Sequence, residues 1–287
     1  MPSSECQTAE INEYWDERAQ SYYNGVVGEL SDERRGMWEA ALETFSGVAL
    51  TQASTTGRTG DRGNGGDEAV SGGSAASFGD APRVLDLGCG PGFFDVLLSQ
   101  RGCAVDAIDA SENMLSCARR NVREHGAVEN VAFHQGDVTS LPFADDVFDL
   151  AVTRNVTWLM RDPRAAYAEW LRVLRPGGKL LVFDANWYRY LVDDRVAQAR
   201  QADQENNELE GWDEASQATS DEEKRCERIA EKLPLTPVLR PAWDMECLTA
   251  LGASAVAVHE DVWKSVWSRS EQSYYGSTPM FLVEATK

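Results

Sequence analysis

Basic residues are scarce in this sequence of 287 residues: 27 Lys and Arg stand against 47 Asp and Glu, for a net charge of -20. A phosphate backbone is held by clustered cations that release counterions, so this balance argues against nucleic acid and favours a small molecule or a protein as partner. Histidine is rarer still. The three in the chain, His125, His134 and His259, stand apart from one another, and the six cysteines (Cys6, Cys89, Cys103, Cys117, Cys226, Cys247) form no C-x-x-C pair. Neither pattern suits a metal centre, so reduced thiols and no metal are expected. Nowhere do about 18 apolar residues run together as a spanning helix needs, which predicts no membrane insertion. The opening MPSSECQTAE lacks the basic and apolar blocks of a secretory leader. These absences together predict a soluble cytoplasmic protein and say nothing of its oligomeric state.

What is present falls into blocks. From Ile11 to about Leu50 apolar residues recur at three- to four-residue spacing, first Trp15, Ala19, Tyr22 and Tyr23, then Trp38, Ala41, Leu42 and Phe45, the period of two helices. Residues 51–80, rich in Gly, Ser and Thr, offer few large apolar side chains to offset the entropy of ordering them; a disordered insertion without chemistry is predicted. Short apolar runs then alternate with amphipathic stretches. Strands are predicted at 83–88, 104–109, 130–135, 147–153 and 178–184, and helices at 92–101, 112–125 and 163–174. Strands buried on both faces beneath crossover helices pair in parallel, so the fold class is α/β, a doubly wound sheet. Residues 187–241 break the rhythm with a strongly acidic helical stretch, either a solvated insertion or a substrate lid. A helix at 243–251 and strands at 254–260 and 279–285 close the sheet. A single domain is expected, made of a helical lid (11–50), a core (81–186), the insertion (187–241) and closing elements (242–287).

In the core, VLDLGCGPG at 84–92 runs a buried strand into a turn carrying Gly88, Gly90 and Gly92. Glycine is needed where a ligand must approach the backbone without a Cβ in the way. Asp86, at the strand end, would repel a pyrophosphate and suits a cationic or polar ligand. The spacing is G-x-G-x-G, not the G-x-G-x-x-G of dinucleotide loops. Asp109 ends the second strand 21 residues after Gly88, where a carboxylate accepts hydrogen bonds from ribose hydroxyls. That position serves either kind of cofactor, and a capping role before Ser111 is its alternative. Gly136 and Asp137 end a third strand, where an Asp either accepts from an adenine amino group or makes a turn.

The stretches VLDLGCGPG, IDASENML at 108–115, GDVTSLPFADDVFDL at 136–150 and EWLRVLRPGGKLLVFD at 169–184 resemble, in order and spacing, the class I S-adenosylmethionine-dependent methyltransferases, in the small-molecule branch of the ubiquinone and menaquinone biosynthesis enzymes. The resemblance covers about residues 11–45 and 83–186, and the C-terminal third loosely. It implies a mostly parallel, seven-stranded Rossmann-like sheet, S-adenosylmethionine as cofactor and a small-molecule acceptor. It further implies that Asp86, Gly88, Cys89, Gly90 and Gly92 surround the methionine moiety, Asp109 and Ala110 the ribose, and Met114, Gly136, Asp137 and Val138 the adenine. Tyr14, Trp15 and Tyr22 would lie over them as a lid. In the quinone enzymes a small, His-containing stretch follows the fourth strand, whereas here it reads TRNVTWLMRDP. Doubly wound sheets bind ligands at the carboxyl ends of their strands. Asn155 is therefore a candidate for cofactor contact and for catalysis, and Arg154 and Trp158 for acceptor contact; Arg154 pairing with Asp162 is the alternative.

Methyl transfer is an in-line displacement that neutralises charge, so the protein's main task is alignment. With the histidines away from the expected site, the nucleophile either arrives reactive or is deprotonated by a carboxylate. Asp184, in FDANWY, is the candidate, unless it bonds Asn186 or a loop amide. Trp187, Tyr188, Tyr190, Trp212 and Trp243 suit an apolar acceptor pocket or a cation cage, or else the core of the insertion. Two other function classes stay open: a non-catalytic S-adenosylmethionine-binding accessory or sensor, and a nicotinamide-dependent oxidoreductase, which Asp86 and the adenine loop disfavour.

Overall fold

The computed structural model describes residues 4–50, 81–127, 130–207 and 219–287. Its strands are β1 (Arg83–Leu87), β2 (Ala104–Asp109), β3 (Val131–Gln135), β4 (Phe148–Arg154), β5 (Leu174–Asp184), β6 (Ala255–His259) and β7 (Phe281–Thr286). They form one sheet in the order β3-β2-β1-β4-β5-β7-β6, parallel except for β7, which runs antiparallel to both of its neighbours. The expected seven-stranded Rossmann-like sheet is present. Alternation along each strand sends side chains to opposite faces. Val84 packs with Val96 and Leu97 on one side of β1, while Leu85 and Leu87 meet Tyr167 and Trp170 on the other.

The helices are α1 (Ser4–Ser31), α2 (Glu33–Phe45), α3 (Phe93–Gln100), α4 (Glu112–Glu124), α5 (Pro163–Val173), α6 (Asp194–Asn207), α7 (Ser220–Ala230), α8 (Ala242–Ala250), α9 (Trp263–Val266) and α10 (Arg269–Tyr274). The last two were not expected from the sequence. They are too short for a 3.6-residue period to show, and Trp267 reaches the core only because α9 leads it there. β5 also begins four residues earlier than expected, at Leu174. The Pro-Gly-Gly run reads as a turn, yet an irregularity opposite Phe148 and Leu150 absorbs it and the ladder continues.

Helix α1 spans the top of the sheet and is fastened at both sides. Ser111 donates to the Asp16 carboxylate at the start of α4, and the Tyr23 hydroxyl donates to Glu124 at 2.7 Å. On the other side Arg225 pairs with Glu13 and Glu17, and Lys232 with Glu10. The acidic insertion is thus packed: Cys226, Ile229, Ala230 and Leu233 share an apolar cluster with Tyr14 and Trp158. Residues 51–80 and Trp212 lie outside the described residues. Among the described residues no helix is long and apolar enough to cross a membrane.

Candidate functional site

The turn after β1 is shaped by hydrogen bonds from its own backbone. Gly88 and Cys89 donate to the Ile108 carbonyl at 2.8 and 3.1 Å, and Gly90 donates to Asp109 Oδ2 at 2.9 Å. Asp109 Oδ1 accepts from Ser111 N at 2.9 Å, so this carboxylate ties β1 to β2. A Cβ on Gly88, at φ +67°, would stand 2.6 Å from Val156; at Gly90, φ +53°, it would meet nothing within 4 Å. The first glycine is required by packing and the second by the open space in front of it.

That space is a cavity of about 600 Å³. Gly88, Gly90, Asp109 and Ala110 form one wall, and Met114, Gly136, Asp137 and Val138 line its far end. Trp15 and Tyr22 of α1 cover it and Asn155 lies opposite. Asp137 Oδ1 accepts from Thr139 N and Oγ1 at 2.8 and 2.7 Å. The turn that this residue was expected to make, or else forgo for adenine, uses Oδ1. Burial is the main cause that holds the Asp109 carboxyl above its usual range, with the Ser111, Gly90 and Ala110 amides opposing it. A carboxylate has about four acceptor positions, so Asp109 retains capacity for ligand hydroxyls. An adenosyl group fits this donor set, with hydroxyl acceptors at the centre, apolar walls at one end and a backbone cradle at the other.

Four residues expected around the cofactor do not line the cavity. Tyr14 turns to a second chamber, and Asp86, Cys89 and Gly92 lie beneath the loop. Asp86 shares the face of Val84, so its side chain meets Asp95 of α3. Both are buried, and Asp86 Oδ2 and both oxygens of Asp95 lack a partner able to donate. Burial first, and for Asp95 the charge of Asp86 next, raise both carboxyls, so the pair is expected to share a proton. With folded pKa values above the unfolded value of about 3.9, the native state binds more protons, and stability falls as pH rises above that value. Asp95→Asn is therefore expected to raise the melting temperature at pH 8 by about 2–4 °C, for roughly 1 kcal/mol, with little gain near pH 4.5. An equal shift at both pH values would rule out the shared proton.

Asn155 follows β4 and adopts φ +61°, a left-handed conformation that Asn tolerates better than most residues. Its N–H donates to the Phe183 carbonyl at 2.8 Å, while Oδ1 is buried without a partner. Asn155 and Tyr22 line three cavities at once: the one described, a chamber of about 230 Å³ beneath α1 and α7, and one of about 580 Å³ between α1 and α10. Trp158 and Tyr188 line the small chamber with ring centroids 4.7 Å apart; Trp187 lines both the small chamber and the one of about 580 Å³. Arg154 does not pair with Asp162. It bonds Glu29 at 2.9 Å and lies over the Phe93 ring at 4.3 Å, a partner 125 residues away that no local pattern marks.

Asp184 is corrected from candidate base to anchor. It is fully buried and accepts from Arg240 Nη1 at 2.6 Å, Ala185 N at 2.9 Å, Trp158 N at 3.1 Å and Trp187 Nε1 at 3.1 Å, which fills its acceptor positions. Trp243 stacks on Tyr167 in the core, away from the cavities, and none of the three histidines lines one. Sequence reasoning missed Arg18, Glu29, Cys226 and Tyr275. Only Arg18 left a trace, standing three residues after Trp15 and four before Tyr22 on one helical face.

The family model described as a methyltransferase domain matches residues 85–182. Methyltransferase GfsG of Streptomyces halstedii is 30% identical over 208 residues, 67% of this chain and 71% of that protein. The ubiquinone/menaquinone biosynthesis C-methyltransferase UbiE of Proteus mirabilis is 41% identical over 110 residues, 36% of this chain and 42% of its own. The chain thus spans under half the length of that relative. A solved chain from Galdieria sulphuraria, provisionally named a sarcosine dimethylglycine methyltransferase, superposes with TM-score 0.51 at 14% identity over 87% of this chain and 83% of its own, a likeness of fold.

Proposed function

Because the chain belongs to the class I S-adenosylmethionine-dependent methyltransferases, we propose that it methylates a small molecule whose nucleophile meets the donor at Asn155. The observation that carries this is Asn155 itself, held in a left-handed conformation with an unpartnered amide oxygen at the junction of three cavities. Relatives named for ubiquinone and menaquinone biosynthesis support a small acceptor, although the short overlap carries no quinone over.

When bound, S-adenosylmethionine supplies an electrophilic methyl group. The chain's own residues then have separate tasks in this proposal. Asp109 receives ribose hydroxyls, Met114 and Val138 flank the adenine with Asp137 at its edge, and the Gly88–Gly90 backbone cradles the methionine end. Trp15 and Tyr22 exclude water from above, and α7 with Tyr188 serves as a lid over the acceptor. Asn155 orients the nucleophile, and alignment of this kind supplies most of what a displacement needs. Asp184, with its positions filled, removes no proton; the nucleophile is expected to arrive ionised or to lose its proton to water. A sensor that only binds the donor would have no use for chambers opening onto it, which counts against the accessory reading.

The test follows label from methyl-labelled S-adenosylmethionine into a cell extract, where it is expected in the low-mass fraction. Label confined to macromolecules would overturn the proposal. Asn155→Ala is expected to lower kcat roughly 10- to 100-fold with S-adenosylhomocysteine affinity within about threefold. Asn155→Gly, which keeps the left-handed backbone, isolates the part due to the amide. Wild-type turnover in both variants would remove Asn155 from the mechanism.

A further inference from the structure

The small chamber has a chemistry that donor binding does not account for. Nine of its fourteen lining residues are aromatic, so its walls suit a flat ring. Its volume, about 230 Å³, is below the range of about 300–1,000 Å³ typical of drug-sized sites, so a compact ring is enough to fill it.

Three polar groups on its wall are buried and lack hydrogen bonds: Arg18 Nε, Trp15 Nε1 and Asn155 Oδ1. Arg18 is 5% exposed; among the described residues Glu222, 3.2 Å from Nη1, is its ion-pair partner, while Nε has no acceptor. Buried polar groups are nearly always satisfied, and a buried guanidinium N–H left without an acceptor is costly. Two of the three orphans are donors, and both call for an acceptor oxygen. Aromatic walls alone would also suit a quaternary ammonium. A cation has no acceptor to offer Arg18 Nε or Trp15 Nε1 and would leave both unsatisfied, which disfavours it.

We infer that the acceptor is a compact aromatic molecule carrying an anionic oxygen, a carboxylate or phenolate, which Arg18 grips while Trp15 donates a second hydrogen bond. This rests on the proposal that a small acceptor meets the donor at Asn155, and it names the class of molecule that fills the chamber.

The test uses the full chain saturated with S-adenosylhomocysteine and three probes in calorimetry: salicylate, benzyl alcohol and phenyltrimethylammonium. Salicylate is expected to bind about tenfold more tightly than the neutral or cationic ring, as a charge-assisted hydrogen bond implies. Arg18→Met is expected to erase that difference and to leave S-adenosylhomocysteine affinity within about twofold. Trp15→Phe, which keeps a ring and removes one donor, is expected to erase part of it and serves if Arg18→Met does not fold. Preference for the cation, no binding of salicylate, or a loss of S-adenosylhomocysteine affinity in Arg18→Met would each overturn the inference; the last would give Arg18 to the donor. In the labelled extract, acceptor activity is expected in the fraction retained by an anion exchanger. Low-mass label arising only from neutral or basic fractions would sink the aromatic anion and leave the small-molecule proposal standing.

Discussion

Gly90→Val is expected to weaken S-adenosylhomocysteine binding by roughly 100-fold or more while the protein stays folded. Two effects add. A β-branched residue at φ +53° sits in a region that side chains of its type avoid, at a cost of about 1–3 kcal/mol. Its methyls would then stand in the open space before the loop, where the donor needs close approach to the backbone. A loss of about 3 kcal/mol of donor contact corresponds to the factor given. Because nothing of the protein lies within 4 Å of that Cβ, the fold loses only the strain, a few degrees in melting temperature. Gly90→Ala separates the two effects, since it carries the strain and little of the bulk. Calorimetry on the two variants beside wild type decides the matter: unchanged affinity in Gly90→Val would mean that this cavity does not hold the donor.

The second large effect concerns stability. Arg240 Nη1 holds Asp184 at 2.6 Å, and its Nε and Nη2 hold Asp244 at 2.7–3.0 Å, with all three side chains at 0–1% exposure. Arg240→Met leaves two carboxylates buried without their cation, a change that typically costs about 3–5 kcal/mol, or roughly 6–20 °C in melting temperature for a chain of this size. The pH dependence has a definite sign. Burial already raises the Asp184 carboxyl, and Arg240 is the chief group opposing that rise. Without it the folded pKa climbs further above the unfolded value of about 3.9, so the penalty is smallest near pH 4 and grows toward pH 8. Melting curves across that range should show the two proteins diverging with pH. A constant gap, or one below about 2 °C, would mean that the network contributes little. Arg240→Met combined with Asp184→Asn should recover part of the loss.

The core was legible because its signals are local. Strands β1, β2 and β4 are short, mostly buried apolar runs, while the edge strand β3 is only partly buried, and the turn at 88–92 announces itself through glycines whose spacing follows from backbone geometry. Asp109 and Asp137 stood out because strand ends are where such sheets place ligands, and both line the larger cavity. What the sequence hid is what distance decides. A carboxylate ending β5 looks like a base until Arg240, 56 residues on, fills it, and Arg154 looks free for a substrate until Glu29 reaches it from α1. The acidic insertion gave no sign of its partner, since Arg225 meets Glu13 and Glu17 more than 200 residues away.

The ion pairs between α1 and α7 carry a consequence for how such a chain diversifies. The surface proposed for the donor is built mainly from the loops and helix starts that follow β1 to β4, with α1 above it, whereas the small chamber adds α6, α7 and the end of α10 to α1. The two share Trp15, Tyr22 and Asn155 and otherwise draw on different residues. Under the proposed assignment, substitutions in the chamber outside those three residues alter what is methylated with little cost to the supply of methyl groups, and an inherited donor site can be passed unchanged among enzymes of differing taste.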